Sequence, residues 1–294
     1  MRMLLISATL LSAQFQFSYA QEDFVDQDFG DYYEWFDQHS QTELLYTNSA
    51  TLHIFTDNTK VHIGPCQDSE IVSDLNIGDP VTNIAYDDYF VPEDEIDGYG
   101  DMWYHVKGQN EDGDNFQGYV WGADIAKAWK TAELTGDKEE EFIMLGVAST
   151  PRLQPTDINA EVRILHRNKL WYQKLVPGLC LFEDCASQAM LRVLKDPQRG
   201  FTFIETSTMT HGCWAGIEKA YFYWNGSKLQ RVYQAEYTTQ TEFANQSFTI
   251  NTGDDVSLQV CHFSHEDDHY NPVWKCEVIN TVPAEGDKAV AAAP

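Results

Sequence analysis

The stretch WYHVKGQNEDGDNFQGYVWGADIA, residues 103–126, decides how this chain is interpreted. Residues 103–107 alternate bulky and polar side chains, as a half-buried strand does, and residues 118–121 resume the pattern. The polar run between them contains Gly113 and follows Gly108, and both glycines are free to adopt positive φ in a turn. The stretch therefore predicts two aromatic strands joined by a polar hairpin loop.

Further motifs precede this hairpin in a recognisable order. Gly64-Pro65 forms a turn before Glu70-Ile71-Val72, and LNIGDPV at residues 75–81 carries a turn between two apolar pairs. Together with WYHV and GYVW, these motifs make residues 47–128 resemble the bacterial SH3 domain. In one departure, Lys60-Val61-His62 stands where that family usually has Asn-Val-Arg. The resemblance implies a small β-barrel.

The first twenty residues indicate export. Met1-Arg2-Met3 gives a positive start, residues 4–11 are apolar, and Ser18-Tyr19-Ala20 is typical of a signal-peptide cleavage site. No other apolar run is long enough to span a bilayer, so we expect no transmembrane segment in the mature chain. The predicted location is periplasmic or secreted.

The chain has 294 residues and a net charge of −27. This length is typical of two domains. The charge argues against nucleic acid and against anionic membrane surfaces as partners, because each phosphate contact needs a cation. Solubility alone accounts for the charge, and cationic groups or calcium are the partners that it suits.

The remaining segments complete an all-β prediction. Residues 21–46 form a flexible acidic lead with a short helix near 31–38, residues 87–101 an acidic insertion, residues 129–141 a linker, and residues 283–294 a disordered tail. Residues 142–282 form a larger antiparallel β-sheet or sandwich domain. Its strand-like runs are 142–148, 160–165, 169–176, 189–194, 201–206, 219–224, 229–237, 246–250, 256–263 and 274–279. Asn225-Gly226 is the sharpest hairpin signal between them.

Residues 213–229 resemble a segment of an uncharacterised domain that follows SH3 modules in exported bacterial proteins. The resemblance supports the order of the domains and implies no chemistry.

Six cysteines follow residue 20, an even number that favours disulfides in an exported chain. Cys261 and Cys276 lie in two strand-like runs that a hairpin would place opposite each other. Cys180 and Cys185 are able to close a small loop. Cys66 and Cys213 would then either join the two domains or stay free.

Two kinds of metal site are weighed and neither is predicted, nor is any cofactor. The run HFSHEDDH, which includes His265 and His269, offers imidazole and carboxylate groups that suit zinc, yet it is also typical of a polar hairpin tip. Residues 93–101 and 110–115 offer oxygen ligands but lack the spacing of a helix–loop–helix calcium site.

An enzyme is the alternative hypothesis. Asp184-Cys185-Ala186-Ser187 and His211 resemble parts of the cysteine peptidases and amidases that cut bacterial cell walls, with Cys185 as nucleophile and His211 as base. The glycine that follows this motif in those enzymes is missing, and a disulfide with Cys180 competes with the catalytic role.

A binding function is the leading prediction. In SH3-like barrels, aromatic side chains of the loops and last strands line a groove, and carboxylates beside it suit an extended, partly cationic peptide. The candidates here are Tyr86, Tyr89, Phe90, Trp103, Tyr104, Tyr119 and Trp121. The same residues, Trp103 above all, also suit core packing. We therefore expect a non-catalytic binding protein, and the resemblance to the SH3 family implies cell-wall peptide or an envelope protein as its ligand. A metal-stabilised structural protein is a third hypothesis.

Overall fold

The computed structural model describes residues 45, 47–84, 93–110, 112–148, 160–176, 179, 181, 189–195, 202–210, 216–238, 247–252, 256–265 and 272–280. Side chains are described up to residue 231, apart from 209–210 and 216–218. The described part is built of antiparallel strands and one short 3-10 helix, Gly122–Asp124, which confirms the all-β prediction.

A curled, half-barrel sheet of seven strands occupies the segment that resembles an SH3 domain. Its strands are β1 (Thr51–His53), β2 (Thr59–His62), β3 (Ile71–Leu75), β4 (Pro80–Asn83), β5 (Glu93–Ile96), β6 (Tyr99–Gln109) and β7 (Asn115–Trp121). Their order is β1-β4-β6-β7-β2-β3, with β5 paired to the first half of β6. Half of the predicted acidic insertion is thus a β-hairpin.

The predicted aromatic hairpin is confirmed as β6 and β7, with Trp103 opposite Trp121 and Gln109 opposite Asn115. Gly113 adopts a φ of 83° in its loop, as the turn requires. Gly108 differs from the prediction, because it lies within β6, where a Cβ atom would meet the Phe116 ring at 2.8 Å. Its role is close packing and not the turn.

Three more antiparallel sheets follow. The first has the order β11-β10-β9-β8, the second β12-β13-β14-β15 and the third β16-β17-β18. The strands are β8 (Ala128–Ala132), β9 (Glu141–Val147), β10 (Ala160–His166), β11 (Lys169–Val176), β12 (Ala189–Lys195), β13 (Thr202–Thr210), β14 (Gly216–Trp224), β15 (Leu229–Thr238), β16 (Ser247–Thr252), β17 (Val256–His265) and β18 (Pro272–Asn280). All ten runs predicted beyond residue 141 coincide with strands.

The predicted linker is part of the fold. Residues 128–132 form β8, which pairs with β9 from Ala128 opposite Leu145 to Ala132 opposite Glu141. One hydrophobic core also continues across this point, from Trp103 and Trp121 on the half-barrel to Ile143 on β9 and Phe222 on β14. The half-barrel and the next two sheets therefore share a core, in contrast to the predicted boundary at residues 128–142.

The described strands fall instead into two compact units, with β1 to β15 in the larger unit and β16 to β18 in the smaller one. The described part of the smaller unit is an antiparallel three-stranded sheet in which Cys261 lies opposite Cys276. The predicted opposition of these cysteines is confirmed for the backbone, and the disulfide stays a prediction.

The interior of the half-barrel is apolar. It consists of Leu45, Leu52, Ile54, Val61, Leu75, Val81, Tyr104, Val106, Val120 and Ile125. Burying such side chains stabilises the fold by about 1.5–3 kcal/mol each relative to their exposure to water. The strands of this sheet are fixed in register by that burial, since a shift by one residue would turn the apolar face outward.

Among the described residues of the larger unit, buried acidic and basic side chains pair with each other at three places. Lys127 Nζ lies 2.7 Å from Asp101 Oδ2, and Arg163 pairs with Glu161 at 2.7 Å while donating to the carbonyl oxygen of Phe55. On the second of the three later sheets, Glu205 lies 3.7 Å from Lys219. Each of these buried charges is thus accompanied by an opposite charge, which offsets part of its desolvation cost.

Candidate functional site

Four side chains form one row across the outer face of the half-barrel, which we call the outer row. The register places His62 opposite both Ile71 and Tyr119, and Tyr119 opposite His105. Opposed residues of antiparallel strands point to the same face. Val61, Val106 and Val120, which neighbour these residues, fill the barrel interior, so the outer row points away from it.

The centre of the outer row is a flat pair of rings. Tyr119 and His105 stack with ring centroids 4.7 Å apart and an angle of 13° between the ring planes. The amide of Gln117 lies 3.0 Å from His105 Nε2. Burial lowers the pKa of His105, which favours its neutral form at neutral pH. A neutral Nε2 accepts the Gln117 amide hydrogen, and the pair presents an uncharged aromatic surface.

Ile71 stands at one end of the row and is half exposed, with a relative exposure of 50%. His62 is buried beside it, and its Nδ1 lies 3.1 Å from the carbonyl oxygen of Ser69. Because a carbonyl oxygen only accepts, the ring N–H of His62 is the donor. The row therefore joins an apolar end to an aromatic centre.

The larger aromatic residues are buried, two of them on the same face as the outer row and one in the barrel interior. Trp103 and Trp121 are 1% and 7% exposed and contact each other with ring centroids 5.5 Å apart, and Tyr104 is buried in the barrel interior. Both tryptophans pack into the core shared with the following sheets. These three residues, predicted as groove aromatics, are thus core residues, and Tyr119 is the described member of that set with accessible surface. Tyr86, Tyr89 and Phe90 lie outside the described residues.

Carboxylates lie along the same face. Strand β5 carries Glu93, Asp94 and Glu95, all exposed, and Asp94 is opposite Asp101 on β6. Asp101, Trp103 and His105 share a face because side chains alternate along a strand. At about 3.3 Å per residue, Asp94 lies about 13 Å along the sheet from the Tyr119–His105 pair. An exposed carboxylate, that of Asp94, thus lies on the same sheet at this distance from the aromatic surface.

A second polar cluster lies where the β8–β9 loop meets the β10–β11 turn. Ligand atoms of Asp137, Glu139 and His166 lie within 4.8 Å of one another. The backbone N–H of Glu139 and the hydroxyl of Thr135 lower the pKa of Asp137, and a hydrogen bond from Arg167 lowers the pKa of Glu139. The cluster favours ionised carboxylates beside an imidazole.

Sequence reasoning missed this second cluster. The composition of residues 135–141 indicates only a charged connector, and His166 is 25 residues away from Glu141 along the chain. The turn residues Arg167 and Asn168, both at positive φ, close the β10–β11 hairpin and bring His166 to the loop. No local spacing signals such a contact.

The other candidates from the sequence lie outside the residues or side chains described. They are Cys180, Cys185, His211 and His269, together with the side chains of Cys261, Cys276 and His265. Cys213 lies outside as well. Among the side chains described, Cys66 is an exposed, free thiol. The enzyme hypothesis and the disulfides therefore stay predictions.

No protein-family model, no curated protein and no solved structure matches this chain. Within the described residues, no helix has the length and apolar character needed to cross a bilayer.

Proposed function

We propose that this protein is an exported, non-catalytic binding protein whose half-barrel holds an extended peptide of the cell wall or of an envelope protein on the outer row. The observation that carries this proposal is the stacked Tyr119–His105 pair, with the acidic strand β5 about 13 Å away along the sheet. An uncharged aromatic surface receives apolar or planar groups of a peptide, and Asp94 and its neighbours attract its cationic groups.

The outer row crosses four strands and therefore offers a binding surface along its length. Ile71 and Tyr119 lie on different strands of one row, with His62 between them. A peptide that runs across the strands contacts both Ile71 and Tyr119. Side chains at its two ends therefore bind at the same time. Binding on such a surface rests on a few aromatic anchors, and truncating an anchor costs about 2 kcal/mol or more, roughly 30-fold in affinity.

The experiment that tests the proposal is retention of the full chain on purified cell wall, compared with a charge-matched protein. Tyr119→Leu removes the stacked ring, and we expect it to lower retention by roughly 30-fold if Tyr119 is an anchor. Tyr119→Phe keeps the ring and is expected to retain binding. Trp171→Leu is the matched control, because Trp171 is 39% exposed on β11, away from the outer row.

Thermal melting of each variant separates loss of binding from loss of fold. Wild-type retention no greater than that of the charge-matched protein contradicts the proposal for cell wall and directs the same variants to envelope proteins. An equal loss of retention in Tyr119→Leu and Trp171→Leu, with both variants folded, contradicts the assignment of the site.

A further inference from the structure

A mixed cluster of carboxylates and imidazole lies apart from the outer row. Asp137 and Glu139 are in the loop between β8 and β9, and His166 ends β10. His166 Nε2 lies 4.0 Å from Asp137 Oδ2. Two ligands of a tetrahedral zinc ion, each about 2.0–2.2 Å from it, lie about 3.4 Å apart. The two exposed carboxylates need to move by about 1 Å to reach that separation.

The imidazole is already oriented by a residue outside this trio. Glu141 is fully buried, and its Oε1 lies 2.9 Å from His166 Nδ1. The backbone N–H of Leu134 also donates to this carboxylate, which holds it in place. Since a carboxylate accepts, Nδ1 carries the hydrogen, and the Nε2 side of the ring faces Asp137.

This arrangement is the one that protein metal sites use. A histidine that binds a metal through one ring nitrogen usually donates the other N–H to a carboxylate or carbonyl, which fixes the ring and increases its basicity. Here Nδ1 donates to the buried carboxylate of Glu141, and Nε2 faces the exposed carboxylate of Asp137. Nε2 is therefore the ring nitrogen that would bind a metal ion.

The local negative charge also favours a bound cation. Asp137, Glu139 and Glu141 supply three carboxylates, and Arg167 neutralises one of them through two contacts to Glu139, at 2.6 and 3.1 Å. One divalent cation would neutralise the remaining two charges. Mixed imidazole and carboxylate ligands select transition metals such as zinc over calcium or magnesium.

We infer that Asp137, Glu139 and His166 form a binding site for one divalent transition-metal ion of the zinc class, with Glu141 as a positioning residue. The inference is independent of the proposed peptide-binding function. Three protein ligands on an exposed surface leave a coordination position for water or for a group of a second molecule. Arg167 competes with the ion for Glu139, so the affinity of the natural chain is limited by this ion pair.

The test is titration of the full, metal-free chain with zinc by calorimetry, and with cobalt(II) by its visible absorption. We expect His166→Gln to remove one site per chain, and Glu141→Gln to weaken that site by about 10–100-fold, as loss of such a supporting carboxylate does. Arg167→Met is expected to strengthen binding several-fold, because it frees Glu139. That gain has no explanation in a purely structural ion-pair network.

Asp74→Asn, which removes an exposed carboxylate of the half-barrel, is the control and leaves the titration unchanged. Because metal-capable residues also occur elsewhere in the chain, the difference between wild type and variant is the measured quantity. Identical isotherms for wild type, His166→Gln and Asp137→Asn overturn the inference. So does unchanged or weaker binding in Arg167→Met, provided that melting curves show all three variants folded.

Discussion

Two lysine–aspartate pairs of the larger unit have the same chemistry in opposite surroundings. Lys127 and Asp101 are 0% and 7% exposed, whereas Lys60 and Asp74, on β2 and β3, are 45% and 64% exposed. In both, the ammonium and the carboxylate are within hydrogen-bonding distance. The comparison teaches that solvent, and not contact distance, decides what an ion pair contributes, because water screens the exposed pair and competes for its charges.

Removing one charge of the buried pair gives the largest expected effect. Lys127→Met preserves the length of the side chain but leaves Asp101 buried without its cation. We expect a loss of about 3–5 kcal/mol in the free energy of unfolding, measured by denaturant titration. The double variant Lys127→Met with Asp101→Leu is expected to recover part of that loss. A loss below about 1 kcal/mol in the single variant would contradict the role given to burial.

A methyl group at Gly122 disturbs the same pair without changing a charge. A Cβ atom there would lie 2.4 Å from Asp101 Cγ, and Asp101 is held by Lys127 and by the backbone N–H of Met102. Because the carboxylate has little freedom to move, Gly122→Ala is expected to cost about 1–3 kcal/mol. Gly98→Ala is not a matched control, because Gly98 has positive φ and an alanine there would be strained. Ala123→Gly, a small change at the next residue, is the comparison variant. Stability unchanged in Gly122→Ala would show that the pair can shift.

Acid pH extends the comparison to a partly buried histidine, His53. Desolvation lowers the pKa of His53 from 6.5, outweighing a hydrogen bond with Gly78 O, and its ring contacts Phe142 at 4.6 Å. The unfolded chain therefore binds a proton more readily than the folded one, so stability is complete above about pH 6.5 and falls as the pH drops below it. Melting temperatures from about pH 8 to about pH 5 should show a smaller decrease in His53→Phe. A decrease equal to that of wild type would assign the acid sensitivity to other groups.

The exposed pair gives the smallest expected effect. Lys60→Met is expected to change the free energy of unfolding by less than about 1 kcal/mol, with a further reduction of the difference in high salt. The same denaturant titration as for Lys127→Met provides the measurement. A loss as large as that of the buried pair would remove the contrast on which the comparison rests.

Much of the strand pattern follows from the sequence. The run at residues 169–176 matches β11 residue for residue, and Asn225-Gly226 marks the β14–β15 hairpin, with Gly226 at a φ of 92°. Alternation and turn chemistry are local properties, so they can be recognised without knowledge of the fold. Residues 128–132 escaped recognition because a charged turn follows them, although β8 pairs with β9 across that turn.

The candidate sites could be predicted from the sequence only in part, because they depend on contacts between residues far apart in the chain. Tyr119 is identified by its motif, but the sequence does not distinguish it from Trp103 and Trp121, which the following sheets bury. An aromatic residue on a barrel face is exposed or buried according to what packs on that face. The Asp137–Glu139–His166 cluster has no signal at all, because its members meet only through the pairing of β8, β9 and β10.

The sequence by itself determined that this chain folds from antiparallel strands, with an aromatic hairpin at residues 103–121 in a curled sheet. Hydrophobic alternation and glycine-containing turns are sufficient for that, because they act between near neighbours. Only the tertiary structure decided which aromatic rings remain exposed to solvent, which charged side chains are buried, and where an imidazole lies beside carboxylates. Those outcomes depend on the shared core of the half-barrel and the next two sheets, whose contacts join residues far apart in the chain.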